Sequence, residues 1–240
     1  MRSYLGEWVP GWAASGYRPN IMTADFFEYT AMIPQAIKLN TVAPSAPAGL
    51  LQVATAPGYD ASWNDDDSGA DRDGAIWKPK STAGFRPLAY IPTASWSFDH
   101  NIELLLVKTD QPGVVAPLGY NWVYNDNDSG AKVDLSIWRP IAPAGYVCLG
   151  DVTSNNYGIA PSTDLIRCVH QSYVEQAPSV VFKWNDKGSG GKYDGSFWDS
   201  YNPNGSTHNI GALRGNRSHS QPNSGLFQLL SKSKTQYVSL

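Results

Sequence analysis

The chain has 240 residues, of which 42% are apolar, 16% charged and 12% aromatic, with a formal net charge of −3. The charged fraction lies well under the roughly 25% of an average globular protein, and no basic field exists to gather phosphate backbones, which argues against nucleic acid as a partner. No apolar run approaches the ~18 residues needed to span a bilayer. The opening M-R-S-Y-L-G-E-W-V-P-G-W lacks the apolar stretch of a signal peptide, so the chain is expected to be soluble, its compartment undetermined.

In chain order, residues 1–60 begin with Trp8, Trp12 and Tyr17 among glycines and prolines, followed by F-F-E-Y at 26–29 and M-I-P-Q-A-I-K-L at 32–39. A helix over 24–39 would be interrupted by Pro34, so short strands are expected there. The segment A-P-S-A-P-A-G at 43–49 reads as a turn or short connection.

The stretch Trp63–Trp77, W-N-D-D-D-S-G-A-D-R-D-G-A-I-W, then recurs without gaps as Tyr124–Trp138 and as Trp184–Trp198. All three copies share an aromatic followed by Asn-Asp, then Ser-Gly, an Asp four residues after that Gly, and a Trp four residues later. Ser68, Ser129 and Ser189 are 61 and 60 residues apart, a period that dictates the architecture. Each copy reads as a hairpin in which an aromatic strand (59–64, 120–125, 180–185) runs through an Asp/Gly-rich turn into a strand bearing Trp77, Trp138 or Trp198. A third strand (85–89, 146–150, 210–213) follows Gly84, Gly145 or Gly205, and a fourth apolar run (102–107, 165–170, 226–230) closes each unit. Four strands three times predict an all-β fold, a β-prism with pseudo-three-fold symmetry and three four-stranded sheets, forming a single domain over 1–240. Part of residues 1–60 is expected to complete the sheet containing the C-terminal strand.

The two cysteines, Cys148 and Cys168, are read as free buried thiols, with one buried disulfide as the alternative. No G-x-S-x-G elbow, P-loop or dinucleotide fingerprint occurs, and His100, His170, His208 and His219 have no metal-ligand spacing. Three equivalent copies also point away from an enzyme, because binding sites are often triplicated and active sites seldom are. The polar stretch 201–224 holds Arg214, Arg217, His208 and His219, a local basic cluster that reads first as a solvated loop and second as a contact for an anionic headgroup.

At W-N-D-D-D-S-G-A-D-R-D-G-A-I-W-K-P, and more strongly at S-G-A-K-V-D-L-S-I-W-R-P-I-A-P-A-G-Y-V-C-L-G-D-V (129–152), the sequence resembles the vacuolar protein sorting sixty-two family, over roughly residues 50–230. The third copy departs from it, with W-D-S-Y-N-P-N-G in place of W-R-P-x-x-P-x-G-Y. The resemblance implies a β-prism akin to jacalin-like lectins and to prism domains of pore-forming and insecticidal proteins. In those lectins a G-x-x-x-D loop grips sugar hydroxyls, a pattern present here at Gly69–Asp73, Gly130–Asp134 and Gly190–Asp194. Fold alone does not fix function.

A sugar offers vicinal hydroxyls and an apolar ring face, so its site needs carboxylates, backbone donors and an aromatic platform. Each copy supplies all three, giving Gly69, Asp73, Gly130, Asp134, Gly190 and Asp194 as candidate contacts and Trp63, Tyr124 and Trp184 as candidate stacking faces. The competing reading makes the Asn-Asp and Ser-Gly positions a tight turn, the Asp a clamp and the Trp core. Calcium is a lesser candidate at Asp65, Asp67, Asp126 and Asp128, and otherwise no cofactor is expected. The expected partner is a glycan or glycoconjugate bound without catalysis. The alternative is a membrane- or receptor-docking module serving a toxin partner or membrane trafficking.

Overall fold

The structure is a computed structural model that describes residues 44–240, and from Ala46 to Leu240 these form one compact unit. The expectations for Trp8, Trp12, Tyr17 and the strands near 24–39 lie outside the described residues. Among the described residues no helix is long and apolar enough to cross a membrane.

The unit is all-β and built from three successive stretches of short strands. The first contains β1 (Leu51–Thr55), β2 (Tyr59–Asn64), β3 (Ala75–Pro79), β4 (Phe85–Pro87), β5 (Ile91–Thr93) and β6 (Leu105–Lys108). The second contains β7 (Val114–Val115), β8 (Tyr120–Asn125), β9 (Ser136–Pro140), β10 (Tyr146–Val147), β11 (Val152–Ser154) and β12 (Cys168–His170). The third contains β13 (Val174–Gln176), β14 (Ser179–Asn185), β15 (Ser196–Tyr201), β16 (Arg214–Asn216) and β17 (Gln228–Leu230), after which β18 (Thr235–Tyr237) follows.

The expected three four-stranded sheets are corrected, among the described residues, to six sheets, one of four strands and the others of two or three. Each repeat contributes two of them. The hairpin recruits a strand that the sequence reading left out, just after its third strand in each repeat, giving β2-β3-β5, β8-β9-β11 and β14-β15-β16. The remaining strands pair separately, as β18-β1-β6-β4, β10-β12-β7 and β13-β17. Glycine turns and prolines such as Pro79, Pro87 and Pro140 cut the chain into strands too short to extend one ladder. In the third repeat the place of β4 and β10 shrinks to a single bridge between Thr207 and Ser231, at the point where the sequence departs from the other copies. The parallel pairing of β1 with β18 bears out the expectation that residues before 60 complete the sheet holding the C-terminal strand.

Between the two sheets of each repeat the chain crosses the middle of the unit, where Tyr90 N–H donates to Asp151 O, Asp151 N–H to Leu213 O and Leu213 N–H to Tyr90 O. That ring of backbone bonds runs in one sense through all three repeats. One core cluster, including Leu51, Val107, Leu149, Val169 and Leu230, lies with the strand-pair sheets, and a second lies beneath the hairpins. In every hairpin the register slips just before the aromatic, between Ala61 and Trp63, Trp122 and Tyr124, and Phe182 and Trp184. Such a bulge re-aims the following side chain. Trp63, Tyr124 and Trp184 accordingly point inward and are 2%, 0% and 1% exposed.

The cysteines are not free thiols. β10 pairs with β12 as Tyr146↔His170 and Val147↔Val169, so the next position sets Cys148 opposite Cys168, and the two form a disulfide spanning 20 residues. Closing a loop of that length stabilises by about 3 kcal/mol in the chain-entropy picture. The double replacement Cys148→Ser with Cys168→Ser should lower unfolding stability by that amount in a urea titration, and reductant should do the same to wild type. Equal midpoints with and without reductant would show that the bridge contributes nothing.

Candidate functional site at the hairpin tips

Each tip is a turn whose geometry its residues dictate. The Ser68, Ser129 and Ser189 N–H groups donate to the carbonyls of Asp65, Asp126 and Asp186, each at 2.9 Å. The serine hydroxyls then accept the N–H groups of Ala70, Ala131 and Gly191. Asp67, Asp128 and Gly188 stand at one equivalent position in the left-handed region, with φ of 65°, 67° and 93°. Asp tolerates that conformation and Gly adopts it freely, which is why the third copy carries Gly where the others carry Asp.

The first Asp of each motif is the structural one. Asp65, Asp126 and Asp186 are 5%, 2% and 5% exposed. One carboxylate oxygen of each closes its own hairpin by accepting the N–H nine residues on, from Gly74, Leu135 or Gly195. The other accepts from the buried aromatic of a neighbouring repeat. Trp63 Nε1 donates to Asp126 at 3.2 Å, Tyr124 OH to Asp186 at 3.0 Å and Trp184 Nε1 to Asp65 at 3.0 Å, closing a ring. A third donor completes each carboxylate, namely Trp96 Nε1 on Asp65, Tyr157 OH on Asp126 and His219 Nε2 on Asp186. His219 occupies the position that a tryptophan and a tyrosine fill in the other repeats, which places a proton on its Nε2. Burial pushes the Asp126 carboxyl above its ordinary range, against the hydrogen bonds from Tyr157, Leu135 and Trp63, while Tyr124 is raised by burial and by Asp186.

The tips also lock directly to one another. Lys132 N–H donates to Asp66 O, Lys192 N–H to Asn127 O and Asp71 N–H to Lys187 O, between 2.8 and 3.0 Å. Close approach requires Gly at two points, since a Cβ on Gly74 would overlap the Trp184 ring and one on Gly195 the Tyr124 ring. Asp73, Asp134 and Asp194 are exposed, together with Gly69, Gly130 and Gly190, although Asp134 reaches the ring donor Tyr157 and Asp194 lies 3.9 Å from His219. The clamp role weighed for the motif aspartates falls to Asp65, Asp126 and Asp186, leaving the later aspartates at the surface.

Two expectations are corrected here. Trp63, Tyr124 and Trp184 cannot serve as stacking faces, because the bulges turn their rings into the core. Calcium does not fit Asp65 or Asp126, whose oxygens already accept three donors each. Asp67 and Asp128 are exposed turn residues, and Asp67 pairs with Lys132 at 3.3 Å. Among the described residues a metal-like grouping is formed by Asp186, Asp194 and His219, but Asp186 and His219 belong to the ring.

The basic cluster of 201–224 is likewise dispersed. Arg214 is buried on Asp151, His208 bonds Glu103, and Arg217 stacks 4.4 Å from the Tyr193 ring centroid and 4.9 Å from that of Trp122. The sequence reading missed Trp96, Tyr157 and His219 as ring donors. They share only an ability to donate and a place 31 to 33 residues after their aspartate.

The fold and these rings define an all-β module of three interlocked repeats. Residues 99–203 match the family model for vacuolar protein sorting-associated protein 62, a span that takes in the second and third motif copies and bears out the resemblance seen at 129–152. No curated protein matches the chain. Among solved structures, the crystal structure of GNIP1Aa from Chromobacterium piscinae is similar, at 24% identity and a TM-score of 0.66, over 85% of this chain and 42% of that one. That likeness is one of fold, and the present chain spans less than half the length of that structure.

Proposed function

We propose that the Ala46–Leu240 unit is a non-enzymatic recognition module of pseudo-three-fold, prism-like build that holds a glycan or glycoconjugate against its tip surface. One observation carries this reading: three like-built turns are locked together by backbone and carboxylate bonds, while their G-x-x-x-D aspartates stay exposed at the surface of that framework. A rigid surface loses little entropy on binding, and Asp73, Asp134 and Asp194 can each accept sugar hydroxyls. With the motif aromatics in the core, the tips act as one shared surface, and affinity would come from several weak contacts to clustered sugars.

The docking-module alternative gains some support from a fold neighbour more than twice as long, in which this fold is one part. The tips nevertheless carry Asp66, Asp67, Asp71, Asp73, Asp128, Asp134 and Asp194 against Arg72, Lys132, Lys187 and Lys192 outside the ring. That excess of carboxylates disfavours an anionic bilayer.

A glycan array comparing wild type with the Asp73→Ala, Asp134→Ala, Asp194→Ala triple variant tests the proposal. The expected result is loss of signal with an unchanged thermal melt, since all three side chains are exposed. Unaltered glycan binding by the triple variant would remove the tips as the site, and flotation with anionic liposomes that ignores free sugar would favour the alternative.

A further inference from the structure

A second site arises where the third repeat breaks the pattern. Lys78, Arg139 and Asp199 occupy the same place in the three copies, directly after Trp77, Trp138 and Trp198. Arg139 is consumed by Asp151 at 2.9 Å. In the third copy the charge is inverted and the following proline is replaced by Ser200. There the ends of β14 and β15 remote from the tip, the 202–209 loop and the 99–103 loop of the first repeat enclose a cleft of about 590 Å³, within the range of small-ligand sites.

Asp199 forms part of the cleft wall, yet its side chain is only 5% exposed. Its Oδ1 accepts the Ser200 N–H, and its Oδ2 faces Lys183 Nζ at 3.7 Å, too far for a good hydrogen bond. A buried carboxylate ordinarily accepts several donors, so the long contact with Lys183 leaves Oδ2 room to accept a further donor from the cleft. The wall also includes Asp99 and Glu103 and the polar side chains of Asn202, Thr207, Asn209 and Lys232, with Glu103 held by His208, Tyr237 and Lys232. Val181 and Tyr201, 36% and 43% exposed, supply apolar surface at its margin.

We propose that this cleft is a binding site for a neutral polyhydroxylated ligand of monosaccharide size, with Asp199 and Lys183 sharing one hydroxyl. A hydroxyl donates to Oδ2 while accepting from the ammonium, which engages both groups at once. An anion would face three carboxylates, and a cation would meet Lys183 and Lys232. The cleft lies at the opposite end of β14 and β15 from the tips, so it stands or falls separately from the tip surface. Burial holds the Asp199 carboxyl up to about 7, against the pull of Lys183 and with Asp99 adding to the rise. Glu103 and Lys232 line the same space. Ligand affinity therefore falls as pH drops through about 7 and the acceptor is protonated.

Ligand-observed NMR on the whole chain tests this with neutral hexoses, pentoses and linear polyols, each titrated to about 20 mM, where a Kd near 1 mM is saturated. Gluconate and inorganic phosphate serve as anionic probes. At least one neutral probe should show a saturable response that weakens at least about tenfold in Asp199→Ala. The same response should weaken in Tyr201→Ala, whose exposed side chain the fold does not need, and persist in the Asp73, Asp134, Asp194 triple variant. A response surviving both cleft variants, one limited to the anions, or none from any neutral probe would overturn the proposal.

Discussion

Replacing Asp126 by alanine should cost about 4 kcal/mol of unfolding stability, the scale for removing one partner of a buried, hydrogen-bonded charge. The carboxylate accepts Trp63 Nε1 at 3.2 Å, Leu135 N–H at 2.8 Å and Tyr157 OH at 2.7 Å. Alanine strands the Trp63 Nε1 and Leu135 N–H donors where water cannot reach them, each at a cost of about 1–3 kcal/mol before relaxation, while the half-buried Tyr157 hydroxyl also loses a partner. Asp126→Asn should cost roughly half as much, because its oxygen still accepts while its amide confronts a donor. The exposed Asp134→Ala, eight residues on, should change stability by less than about 0.5 kcal/mol. Urea titration of the three variants supplies the comparison. If Asp126→Ala and Asp134→Ala melt alike, the ring does not hold the repeats together.

The second large effect is expected at Asp151, which is 0% exposed and accepts Arg139 Nε and Nη2, Arg214 Nη1 and Gly215 N–H between 2.9 and 3.1 Å. Asp151→Ala leaves two guanidinium groups facing each other, one of them 4% exposed, and should cost about 5 kcal/mol or prevent folding. Burial pushes the Arg214 guanidinium below its ordinary pKa, and Asp151 is the group that opposes this. Arg139, nearer solvent, is raised by Asp151 although burial opposes it. Arg139→Ala should therefore be the milder change, since Asp151 keeps Arg214 and the Gly215 N–H. A melt in which Arg139→Ala is the more damaging would show that the buried Arg214 pair is not what anchors this junction. Asp151 also takes part in the central backbone ring, so its segment joins all three repeats.

How much of this was legible beforehand differs by residue. The hairpins could be read because alternation and Asp/Gly turns are local signals, and β2–β3, β8–β9 and β14–β15 occur as expected. The strands β5, β11 and β16 were not foreseen, since three-residue segments such as Ile91–Thr93 and Arg214–Asn216 are too short to show the alternation that marks a strand. The disulfide was passed over in favour of free thiols because spacing cannot report that β10 and β12 pair. The inward turn of Trp63, Tyr124 and Trp184 was hidden for a similar reason. A one-residue bulge reverses the side of the sheet that a side chain faces, and nothing in the letters around it announces the slip.

By itself the amino-acid order determined the threefold repetition, the tight turns at its centre and the all-β character, because these depend on near-neighbour chemistry and on period. Only the folded chain decided which aspartate of each motif is buried and which meets solvent, how the strands divide among sheets, and where the third repeat opens a cleft. Those outcomes depend on contacts some 60 residues or more apart, such as Trp63 with Asp126 and Trp184 with Asp65. A carboxylate's role follows from the donors that reach it, and for each buried aspartate one of those arrives from another repeat.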